Sequence, residues 1–180
     1  MRELAGSCGL SVLVATKRPE MIAFWPPLLA AQDYPDFEVI AALHGDAFTA
    51  ADVATARAWL GERLTVLRVP GECVLGDVLN RALAAAGGEL IVKWDDDDLY
   101  SSRHLSDLAT GHRESGAIVV GKSLEYFYLA ARQVTIRLMP FPLGLQQAPA
   151  GGALRVQQET LGVYAGVVAA NSLCVARHDL

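Results

Sequence analysis

The sequence predicts an α/β fold: a mostly parallel sheet with helices on both faces. Two observations carry this. Strand-like runs recur as LSVLVAT (10–16), FEVIAALH (37–44), LTVLRV (64–69) and ELIVKW (89–94), and the first, short, apolar and rich in β-branched residues, reads as a strand buried on both faces. Between them lie stretches with helical spacing and short connections, the pattern of right-handed βαβ units.

Each element has its own signal. After the first strand, Arg18-Pro19-Glu20 reads as a helix start, with proline in the first turn. That helix continues through MIAF and LLAAQ, is kinked or split at Pro26-Pro27, and ends at Tyr34-Pro35-Asp36. The stretch TAADVATARAWLGERL carries Val53, Ala56, Trp59 and Leu60 at helical spacing. LGDVLNRALAAAGG reads as a helix closed by Gly87-Gly88. Beyond residue 100, Ser101 or Ser102 is a candidate cap for a helix over RHLSDLATGHRESG. AIVVGKS reads as a strand and YFYLAARQVTIRL as a long antiparallel strand or hairpin. Residues 140–159, punctuated by Pro, Gly and Gln, read as a loop, and one or two strands close the chain at Leu180.

A chain of 180 residues with 52% hydrophobic content is long enough for one domain with a sizeable core. The net charge of −5, with no long Lys/Arg run, argues against a nucleic-acid partner. Cys8, Cys73 and Cys174 are too scattered for a disulfide frame or a zinc site and point to free thiols in the cytoplasm. The N-terminus lacks a basic then apolar leader, and no apolar run reaches the ~18 to 20 residues of a membrane span.

In open α/β sheets ligands bind beyond the carboxyl ends of the strands. Thr16-Lys17-Arg18, His44-Gly45-Asp46 and Asp95 to Asp98 all fall there, so one rim collects them. Four consecutive aspartates need relief, because carboxylates about 4 Å apart at an effective dielectric near 20 repel by roughly 4 kcal/mol per pair. Two readings follow. In the first, the run is a hydrated acidic turn ahead of a helix. In the second, Asp95 and Asp97, sharing one side of an extended backbone, clamp a hard divalent cation that fills its shell with water and phosphate oxygens. On that alternation Lys93 shares their face, where a local ion pair is the plain alternative. An EF-hand is excluded because neither its sixth-position Gly nor its closing Glu is present. An aspartyl phosphatase fits less well, because four strands precede the acidic run.

The ordered set SVLVATKRP, QDYP, VIAALHGD and LNRALAAAGGELIVKWDDDD, with the later GK and Arg-His-Asp-Leu elements, resembles the inverting family 2 glycosyltransferases of the GT-A fold. The resemblance spans about residues 10 to 180 and is strongest over 76–108. It implies a single GT-A domain over 1–180, a nucleotide-diphospho-sugar transferase of Rossmann-like architecture, with a nucleotide-binding part at 10–100 and an acceptor-side part at 101–180. It implies transfer of a sugar from a nucleotide-sugar, a UDP-sugar first, to a saccharide or other hydroxyl acceptor, with Mn²⁺ or Mg²⁺ as cofactor.

Carried over, Asp95 faces ribose and metal and Asp97 coordinates the metal, with a shift to Asp96 and Asp98 as the alternative register. Thr16 and Arg18 match the region lining base and ribose. Asp46 matches the acid that accepts from the base, although His44-Gly45-Asp46 replaces the usual Asp-Asp-Gly-Ser. Asn80 supports the site and Arg81 reaches a phosphate, although their order is inverted relative to the family pair, and Lys93 lies beside the carboxylates. The family's catalytic base follows the turn that Ala176-Arg177-His178-Asp179-Leu180 resembles, so the base is expected beyond Leu180 and the chain is expected to be truncated. His104, His112 and His178 are expected as exposed or capping residues. The competing reading is a non-catalytic nucleotide-sugar-binding or structural module of the same fold.

Overall fold

The computed structural model describes residues 9–122, 125–138 and 173–180. They fall in two compact units, Met1–Val120 with Asn171–Leu180, and Gly121–Ala170. In the first unit the described strands form a sheet in the order β3-β2-β1-β4-β8-β5. Its members are β1 (Leu10–Thr16), β2 (Phe37–His44), β3 (Leu64–Val69), β4 (Leu90–Trp94), β5 (Val119–Val120) and β8 (Cys174–Ala176). β1, β2, β3 and β4 pair in parallel, whereas β8 runs antiparallel to both β4 and β5. A sheet that is mostly parallel is therefore correct, and its antiparallel edge had no signature in a three-residue strand.

Alternation along β1 divides the core. Leu10, Val12 and Val14 face one layer, with Val92 and Trp94 of β4 beside them. That layer is covered by α1 (Trp25–Ala30), α2 (Ala50–Leu60) and α4 (His104–Ser115), through Trp25, Leu29, Ala56, Leu60, Leu105 and Leu108. On the opposite face, Leu13, Ile40, Ala42 and Ile91 pack against Val78 and Ala82 of α3 (Leu75–Ala85). Helices thus cover both faces, as the continuous apolar strands require.

Several local expectations change. The first helix is split: Pro19–Ala23 is a 3₁₀ turn, and Pro26 and Pro27 sit in the first turn of α1, where a missing N–H costs nothing. α2 starts with a capping box, in which Thr49 Oγ1 accepts from the Asp52 N–H and the Asp52 carboxylate accepts from the Thr49 N–H. Trp59, expected on the buried stripe of α2, is 56% exposed. α3 is capped at Ala86 in an extended conformation, not by the Gly87-Gly88 pair. Gly88 is there for another reason: a Cβ would lie 2.7 Å from the Ser11 nitrogen, at the point where the chain enters β4 beside β1. α4 ends at Gly116 in the left-handed region, its N–H donating to the His112 carbonyl at 2.9 Å.

In the second unit β6 (Glu125–Leu129) and β7 (Val134–Leu138) form an antiparallel hairpin, turned by Ala130–Arg132 and by Gln133 at φ 52°. The hairpin alternative for this segment is the one observed. Cys8, the loop expected over 140–159 and the strand expected before residue 173 lie outside the described residues.

Candidate active site

The register of the central pair builds the site. Val14 of β1 lies beside Trp94 of β4, so two residues further on Thr16 comes alongside Asp96, on the same face of the sheet. There the Thr16 hydroxyl donates to the Asp96 carboxylate, and Asp96 is 5% exposed. Arg18 closes the arrangement. Its guanidinium pairs with Asp96, with Nε donating to Oδ2 at 3.2 Å, and its Nη2 lies 2.9 Å from Asp97 Oδ2. The Arg18 N–H donates to Thr16 Oγ1 at 3.1 Å, which fixes the backbone below the guanidinium. Hydrogen bonds to Asp96, then to Asp97, push the Arg18 pKa further above its ordinary value, so this cation is permanent.

β4 ends at Trp94 and the chain turns at Asp96-Asp97, so Asp96 keeps the face of Trp94 but strict alternation fails at Asp97. Asp96 and Asp97 share one arginine, and Asp95 is paired with Lys93. Side-chain cations thus relieve much of the repulsion within the acidic run. Lys93 meets Asp95 as the local ion pair that alternation allows.

Two residues that the sequence did not single out hold this turn. Tyr100 stacks on the buried Trp94 with ring centroids 3.8 Å apart, and its hydroxyl oxygen accepts the Asp95 N–H at 2.9 Å. Desolvation, the largest effect, pushes the Tyr100 pKa up, which keeps that hydroxyl neutral. His104, expected exposed or capping, is instead buried, edge-on to both rings. The buried Gln32 is the second. Its Oε1 accepts the Leu105 N–H at 3.1 Å and its Nε2 donates to the Ser101 carbonyl at 2.9 Å. Gln32 therefore satisfies the start of α4, the job expected of Ser101 or Ser102, and ties the end of α1 to the segment that follows the aspartates. The Gln of QDYP was the available signal.

A cleft of about 400 Å³ opens over this rim. Thr16, Arg18, Lys93 and Asp95 to Asp97 line it, with His44 and Leu79 among the other walls. Asp46 is exposed and lines a separate pocket with Gly45, Arg68 and Glu72. Asn80 and Arg81 are exposed on α3, whose Leu75 and Leu79 are the residues that reach the cleft wall.

Among the described residues no group of three or more His, Cys, Asp or Glu side chains is placed to hold a metal by itself. The side chains of Asp95 and Asp97 are 35% and 51% exposed at the cleft. One or two hard, accessible oxygen donors fit an ion such as Mg²⁺ or Mn²⁺ that takes its remaining ligands from water and phosphate.

No curated protein matches the chain in sequence. Among solved structures, Staphylococcus aureus TarS is 25% identical with a TM-score of 0.53, covering 65% of this chain and 22% of that one. TarS 1-349 in complex with UDP-GlcNAc gives the same identity and TM-score, covering 65% of this chain and 34% of that one. The mannosyltransferase PcManGT from Pyrobaculum calidifontis, in complex with GDP-Man and Mn²⁺, shares the fold at 23% identity and a TM-score of 0.55, covering 66% and 36%. The chain thus spans between 22% and 36% of the length of these relatives. The sequence profile of glycosyl transferase family 2 matches residues 15–164, most of the chain and all of the acidic rim. This chain belongs to glycosyl transferase family 2.

Proposed function

We propose that the cleft at the carboxyl ends of β1 and β4 binds a nucleotide-sugar and that the protein transfers its sugar to an acceptor hydroxyl with inversion. The observation that carries this reading is the meeting of Thr16, Arg18, Lys93 and Asp95 to Asp97 at one solvent-open rim. Family membership supports the reaction class. The UDP and UDP-GlcNAc complexes of TarS make a UDP-sugar the first donor to test.

In this reading Asp97, with Asp95 beside it, would hold Mn²⁺ or Mg²⁺. When bound, such an ion neutralises charge developing on the departing diphosphate. The chain's own residues set the donor's position. Thr16 and Arg18 line the nucleotide side, and Arg18 and Lys93 are cations of the cleft lining available to the leaving group. Asn80, Arg81 and Asp46 are assigned more distant support of the nucleotide, Asp46 from its neighbouring pocket.

The acceptor proton requires a base, since a hydroxyl is a weak nucleophile until it is deprotonated. Asp96 lies beneath Arg18, Asp95 is tied to Lys93, and His44 Nε2 is bonded to the Gly71 carbonyl at 3.2 Å. We therefore place the base outside the described cleft. We further propose that residues 1–180 act as one functional domain and that the enzyme works in the cytoplasm, where Cys73 and Cys174, both free, stay reduced. Among the described residues no helix is long and apolar enough to cross a membrane.

A thermal-shift titration with UDP and Mn²⁺ tests the reading. Ligand at 100 times its dissociation constant adds about 2.7 kcal/mol, a shift on the order of 5 to 10 °C for a domain of this size. EDTA and Asp97→Ala should each abolish it. A flat response to every nucleoside diphosphate, with and without metal, refutes donor binding.

A further inference from the structure

One guanidinium covers two carboxylates of the acidic turn. Arg18 pairs with Asp96 and stands 2.9 Å from Asp97, the carboxylate assigned to the metal in the reading above. Its backbone is pinned through Thr16 Oγ1, yet 38% of its side chain is exposed, so the head group can leave while the chain stays in place. A divalent ion arriving alone must compete with that charge for Asp97, and both cations repel. A nucleoside diphosphate removes the conflict, because its oxygens offer the fork-shaped guanidinium a partner at least as good as a carboxylate.

We propose that Arg18 is a resident counter-cation. It occupies Asp97, the carboxylate assigned to the metal, in the ligand-free protein and moves onto the donor diphosphate when metal and nucleotide enter together. This inference rests on the donor-site reading. Its consequence is linkage: bare metal binds weakly, nucleotide strengthens metal binding, and metal strengthens nucleotide binding by the same factor. The device would keep the acidic turn from taking up divalent ions when no donor is present.

The test is Mn²⁺ binding followed by electron paramagnetic resonance of the free ion, with and without UDP. Arg18→Gln should bind Mn²⁺ alone about fivefold more tightly than wild type, the effect of removing a half-exposed competing ion pair. It should bind UDP with Mn²⁺ about tenfold more weakly, having lost a charge-assisted contact. Lys17→Gln removes an equal charge that lines the same cleft but pairs with neither Asp96 nor Asp97, and should change bare Mn²⁺ binding by less than about twofold.

If Arg18→Gln does not fold by circular dichroism, Arg18→Lys takes its place. An ammonium lacks the guanidinium's planar fork and holds the two carboxylates less firmly, so bare Mn²⁺ should still tighten, by about twofold. Unchanged or weaker Mn²⁺ binding in the Arg18 variant overturns the inference, as does equal tightening in Lys17→Gln. Either result leaves the donor site intact provided wild type binds UDP with Mn²⁺. Failure of wild type to bind UDP under any metal condition removes the donor-site reading, and this inference with it.

Discussion

Replacing Asp96 and Asp97 separately by alanine divides the acidic turn into a part that stabilises the fold and a part that serves ligand binding. Asp96 is 5% exposed and accepts from the Thr16 hydroxyl and twice from the Arg18 guanidinium. Hydrogen bonds to charged groups contribute about 1.5 to 3 kcal/mol. Two circumstances keep the loss near that of one such bond rather than the sum of three: the partly exposed Arg18 regains water and keeps Asp97, and Thr16 Oγ1 keeps the Arg18 N–H. Asp96→Ala should therefore cost about 2 to 3 kcal/mol, or about 5 to 10 °C in Tm at this chain length. Asp97 is 51% exposed, and its pair with Arg18 is of the surface kind, so Asp97→Ala should cost less than about 1 kcal/mol and fall further toward zero in added salt. Thermal melts followed by circular dichroism, without ligand, measure both. Equal destabilisation by the two substitutions refutes the division, and so does a melting temperature for Asp96→Ala that matches wild type.

Three further outcomes follow from the packing. Gly88→Ala forces a Cβ to 2.7 Å from the Ser11 backbone nitrogen and should destabilise by about 2 to 3 kcal/mol in denaturant melts, with a neutral result ruling out the close approach. Gln32→Ala leaves the buried Leu105 N–H without its acceptor and should cost about 2 kcal/mol while speeding amide exchange at the start of α4; unchanged exchange at Leu105 contradicts the capping role. Burial pushes the Cys174 thiol from its ordinary 9.0 up to about 12. A thiol that resists ionisation in the fold contributes stability that is complete below about pH 9 and is lost as pH rises toward 12, so Cys174→Ala should flatten part of the alkaline decline, and an unaltered slope counts against it.

The sequence disclosed most where a single physical demand acted alone. Leu10–Thr16 and Phe37–His44 are mostly apolar because helices cover both sheet faces, and these strands, with the less buried Leu64–Val69, run over the residues the pattern marked. Pro26-Pro27 split the first helix because a proline ring and missing N–H act locally. Where two distant segments decide together, the pattern was silent. Cys174–Ala176 is too short to announce its pairing with β4. Gln32 took over a capping role from Ser101 and Ser102 because packing brought its amide to the start of α4. In the site, position at a strand end was enough to gather Thr16, Arg18, Lys93 and the aspartates, but alternation could not foresee that the chain turns after Trp94 and lets one arginine serve Asp96 and Asp97. Tyr100 escaped notice because its role depends on stacking over Trp94 rather than on its spacing.

Crystals grown with Mn²⁺ and UDP test the central claim most directly, through the anomalous signal of manganese. The account predicts a peak in the cleft between the Asp97 carboxylate and the diphosphate, with Arg18 no longer resting on Asp97. UDP bound without a metal peak at that turn, or manganese bound with Asp95 and Asp97 both turned away from it, would contradict the account.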